Sequence, residues 1–355
     1  MGRFLKACRD LRDGSPHRQA LAMALFGVAL CAVPLFANDY WVRLLVFIFV
    51  NIALASSWNV IGGVTGYPSF GHSVFFGLGA YTAAIVMVRY ELPMAVGMVA
   101  GGIVAAAFSL LFLPVFRQKG LYFALSTLAA LLAVETLVHK WEFTRGFKSW
   151  DMGWTVPSPL SLDASYVLFV ALLCGTVISV IYLLRSKTGY ALHALHKDEV
   201  LASSIGIPTT RYKVIAFAAS AVWPGVIGAA FAPFMTYIST ESMFDVTITL
   251  NMILISIFGG IGTVLGPILG GIVLSVIDQI AWGNFLDYHR LIYGLLIVLI
   301  ITYRPGGIVS WLWDLEQRLN RKAETPTPRG PVAVKGSSRH ATIALRTEGR
   351  PGHAR

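Results

Sequence analysis

Apolar runs follow one another with few breaks through most of the chain, at about Ala20–Ala37, Leu44–Gly63, Ser73–Val88, Met94–Phe116, Leu121–His139, Ser165–Leu184, Val214–Met235, Val246–Gly260, Val264–Ala281 and Leu291–Tyr303. A hydrocarbon core ~30 Å thick takes about 20 helical residues, and a spanning segment must pair every backbone N–H and C=O within the protein. Runs of this length therefore predict an all-α polytopic membrane protein. Several are shorter than a straight span requires, which sets the expectation at roughly 8–10 transmembrane helices.

Composition agrees. Charged residues make up 13% of the chain and hydrophobic ones 56%, against about 25% charged in soluble domains. The net charge of +10 could suggest a nucleic-acid partner, but the basic residues cluster at Arg3–Arg18, between Arg185 and Lys213, and from Arg304 onward. Those are the flanks of the apolar runs, where the positive-inside bias accounts for them with no nucleic acid. Cys8, Cys31 and Cys174 form no CxxC pair, so neither a disulfide framework nor a metal site is expected.

The run after Arg18 is long enough to be a retained first span, and no small-residue cleavage site follows it. With the N-terminus cytoplasmic, Arg117, Lys119, the central segment and the basic tail all fall on one side. The mixed stretch Lys140–Leu162 and the acids Glu241 and Asp245 fall on the other. Both termini are thus expected in the cytoplasm. The chain divides into a cytoplasmic N-terminal segment (1–19), a transmembrane domain (20–307) and a basic tail (308–355) rich in Pro, Gly, Ser and Thr, expected to be disordered.

The longest polar stretch between spans, 185–213, carries Arg185, Lys187, Lys197, Arg211 and Lys213. Thr188 reads as an N-cap, and Ala191, Ala194, Leu195, Leu201, Ala202 and Ile205 recur at helical spacing, which predicts one short amphipathic helix. Gly206 and Pro208 would end it. Such a helix either docks on a soluble partner or is an incidental element of a solvated loop.

Between Gly62 and Tyr81 the sequence GGVTGYPSFGHSVFFGLGAY crowds six glycines and Pro68 at membrane depth. Irregular backbone there must be buried in protein or line a wet cavity, so a broken or re-entrant piece is expected. The glycines serve either close helix packing or a pathway. His72 lies among them with no second ligand at metal spacing. Two acids, Glu135 and Asp278, lie well inside apolar runs, near the outer ends of their spans. Asn51, Ser56, Ser57, Asn59, Ser126, Thr127, Asn251 and Ser256 are better candidates for an uncharged polar conduit. No GxxxxGK[ST] occurs, nor HExxH, nor GxSxG. Nucleotide binding by a P-loop of this chain and intrinsic catalysis are not expected, and neither is a cofactor.

Several stretches together resemble the permeases of branched-chain amino acid ABC transporters, the LivM-like half in particular. Gly66, Ser69, Gly71, His72, Phe75, Phe76, Gly77, Gly79, Ala80 and Tyr81 match that family's G-x-x-S-x-G-H-x-x-F-F-G-x-G-A-Y run. Gly120–Ala124 with Thr127-Leu128 resembles the next motif. The central loop resembles the ATPase-coupling loop through Gly189, Ala191, Leu192, Ala194, Glu199, Ala202, Gly206, Ile207, Arg211, Tyr212 and Lys213. Gly259–Gly262, Gly266-Pro267, Tyr293-Gly294 and Arg304-Pro305 with Gly307 complete the set.

The resemblance implies a type II-like ABC importer permease in a bacterial inner membrane, with a cytoplasmic coupling helix. Its implied partners are a second, LivH-like permease subunit, two ATP-binding subunits and an extracytoplasmic solute-binding protein. The pathway candidates it leaves are Asn59, Gly66, Ser69, His72, Tyr81, Thr127 and Asn251. Three departures bear on specificity and on the ATPase contact: Thr144–Ser149 replaces the family's TGG-type loop, Leu132 stands at the family's acidic position with Glu135 three residues on, and Leu201 replaces a small residue. Importers of urea or short amides are the nearest alternative, and an ion-coupled secondary transporter is the rival from another class.

Overall fold

The computed structural model describes residues 16–118, 120–141, 153–284 and 307–309. Residues 1–15, Lys119, the Thr144–Ser149 departure, the run Leu291–Tyr303 and all but the first residues of the expected tail lie outside that set. The described chain is helical almost throughout: α1 (Pro16–Leu30), α2 (Asp39–Asn59), α3 (Ser73–Val88), α4 (Met94–Ser109), α5 (Leu121–Lys140), α6 (Leu162–Arg185), α7 (Lys187–Lys197), α8 (Glu199–Ser204), α9 (Thr209–Met235), α10 (Thr240–Met243), α11 (Val246–Gly259) and α12 (Leu265–Asn284). Two three-residue strands, β1 (Gly153–Thr155) and β2 (Tyr237–Ser239), pair antiparallel with Trp154 opposite Ile238.

Six helical stretches are long and apolar enough to cross a bilayer: Asp39–Val64, Met94–Phe116, Leu121–Lys140, Leu162–Arg185, Thr209–Met235 and Thr240–Gly259. Gln19–Leu30, Ser73–Val88 and Leu265–Gln279 are shorter apolar helices. At 1.5 Å per residue, a 26-residue stretch such as Asp39–Val64 is about 39 Å long. The protein is therefore an all-α, multi-pass membrane protein.

At the centre, α9 packs against both α3 and α2. α4 lies on α3 and α9, α6 lies on one flank of α2 with α1 packed against α6, and α11 and α12 lie on the other flank. Small residues allow the closest approach: a Cβ on Gly79 of α3 would strike the Gly225 carbonyl of α9, and one on Gly228 would strike the Phe76 carbonyl. Lipid tails are as apolar as leucine, so helix association in a bilayer rests on such backbone contact. The close-packing reading of this glycine-rich stretch thus holds for Gly77 and Gly79, which abut Phe244 and Gly225.

The two ends of the bundle differ. One end carries α7 and α8 together with the start of α9. The other carries the β1–β2 ribbon and α10, where Ser239 and Ser242 cap each other and Asp245 caps α11 through Thr247 N. At the α7–α8 end the core is aromatic: Phe217 meets Phe75, Phe112 and Phe116 at centroid distances of 5.3, 5.2 and 5.3 Å.

Candidate functional site

α2 does not end cleanly. Its last turn widens into a π-helical turn over Val60–Val64, where Gly62 and Gly63 sit against Trp58 and Asn59. Residues 65–72 then run without helix until α3 begins at Ser73, buried at Thr65, Tyr67, Ser69, Gly71 and His72 but exposed at Gly66. This is the broken piece that the glycines and Pro68 predict, and protein groups satisfy its backbone. Trp58 Nε1 donates to Ser69 O (2.8 Å), Phe70 N donates to Thr127 Oγ1 (3.0 Å), and Tyr67 N donates to Ile61 O (3.1 Å). Gly71 lies on the Thr127 carbonyl, so Thr127 of α5 cradles the segment from both sides.

His72 closes the segment, fully buried. Its Nε2 lies 3.0 Å from Ser220 Oγ of α9, its ring stands edge-on to Phe75 and Phe217, and its Nδ1 has no protein partner. Ser57 Oγ donates to the Ser220 carbonyl (2.6 Å), so one residue of α9 ties down both α2 and the broken segment. Beside that contact a cavity of about 250 Å³ opens between α2, α6 and α9, lined by Ser57, Val60, Ser179, Val180, Leu183, Ala219, Val222 and Trp223.

The remaining pathway candidates are dispersed. Asn59 turns away to α11–α12: its Oδ1 accepts Gly262 N (2.9 Å) and its Nδ2 donates to Thr263 O (2.8 Å). The Tyr81 hydroxyl is hydrogen-bonded to Thr240 Oγ1 (2.9 Å) at the ribbon end. Ser256 donates to Ala55 O and Met252 O, and Asn251 is half-buried on α11. Ser69, His72 and Thr127 are thus brought together, whereas Asn59, Tyr81 and Asn251 are not. Among the described residues no cluster of His, Cys, Asp or Glu could hold a metal.

The central polar stretch forms two helices, not one. Ser186, rather than Thr188, caps α7 by accepting Gly189 N, and Gly189 lets the turn fold directly onto the Leu184 backbone. At Asp198 the backbone becomes extended (φ −161°, ψ 113°), and its carboxylate accepts Val200 N (2.8 Å) and Leu201 N (3.0 Å), starting α8. A strong N-cap in mid-pattern breaks the helix. Gly206, at φ +87°, ends α8 as the sequence predicts.

Ala191, Leu192, Leu195 and Ala202 face the bundle, with Ala194 half-buried beside them. Leu201 and Ile205, which the helical spacing grouped with them, are exposed. Tyr190 and Val200 are exposed as well, so the module presents Leu201, Ile205, Tyr190 and Val200 at 62%, 69%, 72% and 65% exposure. Arg211, at the start of α9, is exposed beside it.

One residue of this region escaped the sequence. Lys213, four residues into α9, is 2% exposed. Its Nζ lies 2.5 Å from Glu199 Oε1 and 4.3 Å from the centroid of the Tyr67 ring, while the Tyr67 hydroxyl donates to Glu199 Oε2 (2.5 Å). The signal for Lys213 was positional: it directly precedes an apolar run and falls in the first turns of its helix.

A bundle of apolar helices around a broken segment, with a two-helix polar module at one end, makes this a multi-pass membrane protein. The chain belongs to the family described as branched-chain amino acid transport system / permease component, whose sequence profile matches residues 40–301. It is similar to the high-affinity branched-chain amino acid transport system permease proteins LivM of Salmonella typhimurium and of Escherichia coli, each 29% identical over 84% of this chain and 76% of theirs. It is also similar to LivH of Salmonella typhimurium, 23% identical over 72% of this chain and 90% of that one. No solved structure matches.

Proposed function

We propose that the protein is a permease subunit of an ABC importer for branched-chain amino acids, forming half of a translocation pathway with a second permease subunit. Two separate ATP-binding subunits drive it from the α7–α8 end, and an extracytoplasmic solute-binding protein delivers substrate at the ribbon end. The single observation that carries this reading is the exposed apolar face of Tyr190, Val200, Leu201 and Ile205, on a polar module outside the spans where no bilayer covers it. The family membership and the motif resemblance supply the substrate class.

Orientation follows from charge. Arg185, Lys187, Lys197 and Arg211 gather at the α7–α8 end, which the positive-inside rule assigns to the cytoplasm of a bacterial inner membrane, with both termini on that side. Transport then needs no chemistry from this chain. Closure of the ATPase pair pulls on α7–α8, and the bundle alternates access around its buried centre.

The test is uptake of leucine, isoleucine and valine into proteoliposomes holding the full complex. ATP-dependent accumulation is expected, and accumulation on an ion gradient by this chain alone would overturn the reading. A thermal shift of the cognate binding protein separates substrates: stabilisation by these amino acids supports the assignment, and stabilisation by urea replaces it.

A further inference from the structure

A lysine kept out of water is costly unless its charge is met, and Lys213 is met twice, by a carboxylate and by the face of an aromatic ring. The three partners come from three separate elements. Glu199 opens α8, Lys213 lies in the first turns of α9, and Tyr67 belongs to the broken segment 65–72. Both oxygens of the Glu199 carboxylate are engaged, one by the ammonium and one by the phenol, so the triangle is closed. A buried ion pair of this kind adds little stability over an apolar replacement. Its best-attested use is to fix the register of one element against another.

What it registers here is specific. Next to Tyr67, Gly66 has φ +74°, and the space a Cβ would occupy is taken by the His196 ring of α7. Both helices of the polar module therefore touch the broken segment, α8 through Glu199 and α7 through His196. Five residues beyond Tyr67 the same segment delivers His72 to Ser220, and between them Phe70 is tied to Thr127. Displacement of α8 reaches Tyr67 through one side chain and then enters the centre of the bundle along backbone.

We propose that Tyr67, Glu199 and Lys213 form the transmission joint of this permease, carrying movement of α7–α8 into the 65–72 segment. This rests on the importer reading above. Glu199 thereby acts as an inward tie rather than as part of the docking face, and the three are positioning residues.

The test uses the complete complex in proteoliposomes, measuring ATP hydrolysis and uptake of leucine, isoleucine and valine in the same preparation. Tyr67→Phe keeps the ring over Lys213 and removes only the hydroxyl. It is expected to assemble and hydrolyse ATP as the wild type does, while uptake per ATP falls about tenfold. Glu199→Asp, one methylene shorter, cannot hold both partners and is expected to lower the same ratio. The double variant should fall little further, because both changes open one joint. An unchanged ratio in both single variants, or uptake and hydrolysis falling in proportion, would overturn the joint while leaving the importer reading intact. Failure of the wild type to couple uptake to ATP would remove both.

Discussion

The side chain of Asn59 grips the backbone on either side of the Gly262–Thr263 peptide, accepting from Gly262 N at 2.9 Å and donating to Thr263 O at 2.8 Å. These residues are about 200 positions apart in the chain, and the contact holds the end of α2 against the α11–α12 turn. An amide is the side chain that can do both, since it carries one acceptor and one donor at fixed spacing. Asn59→Ala would strand a backbone donor and a backbone acceptor, at about 1–3 kcal/mol for each orphaned group. The expected outcome is a lower midpoint of thermal inactivation in detergent, with the substrate concentration for half-maximal uptake unchanged. A changed substrate dependence at unchanged stability would place Asn59 in the pathway instead.

Gly79 and Gly225 bring α3 and α9 together with no room for a side chain between them. Gly79→Leu should separate the two helices and cost about 1–3 kcal/mol or more through overpacking. Val200→Ala, on the exposed face of α8, should stay within about 0.5 kcal/mol. Monodisperse yield after detergent extraction at a series of temperatures distinguishes the two, and equal yields would contradict the packing described.

Leu201 and Ile205 are exposed on α8 and just beyond it, and their burial by a partner should contribute about 1.5–3 kcal/mol each. Replacing either with aspartate is expected to weaken association with the ATP-binding subunits by roughly 10- to 100-fold. The melting of the isolated permease should be unchanged. Co-purification at graded protein concentration reads the first effect and a thermal melt the second. Undiminished co-purification would move the docking surface elsewhere.

His193 of α7 should make the module sensitive to acid. Partial desolvation, then His196 and then Lys197, lower its pKa from the ordinary 6.5. Because the unfolded chain takes up the proton first, this contribution is full above the ordinary histidine range and is lost as pH falls through the depressed folded value. Stability should therefore decline on going from pH 7.5 towards 5.5, and His193→Gln should flatten that decline. A steeper fall in the variant would reverse the sign of the argument.

How much was legible follows from what each signal depends on. The broken segment could be read because Gly66 and Pro68 have local consequences: a glycine free to take positive φ and a proline without an N–H both disfavour continuing a helix. The stop at Gly206 could be read for the same reason. The split at Asp198 was hidden, since a periodic apolar pattern runs through it and only the carboxylate's choice of Val200 N and Leu201 N broke the helix. That Leu201 and Ile205 are exposed beside a buried Ala202 could not be read from a spacing that groups all three.

The sequence by itself determined that this chain is a helical membrane protein, where most of its apolar helices lie, which polar segment is basic and which segment is irregular, because hydropathy, charge and backbone restriction act over short stretches. Only the tertiary structure decided that Lys213 is buried, that Glu199 turns inward to it, and that Tyr67 completes the triangle. A charged residue at the mouth of a helix can face water or protein with equal local plausibility. Its direction is fixed by partners far along the chain, brought to it by the packing of α2, α8 and α9.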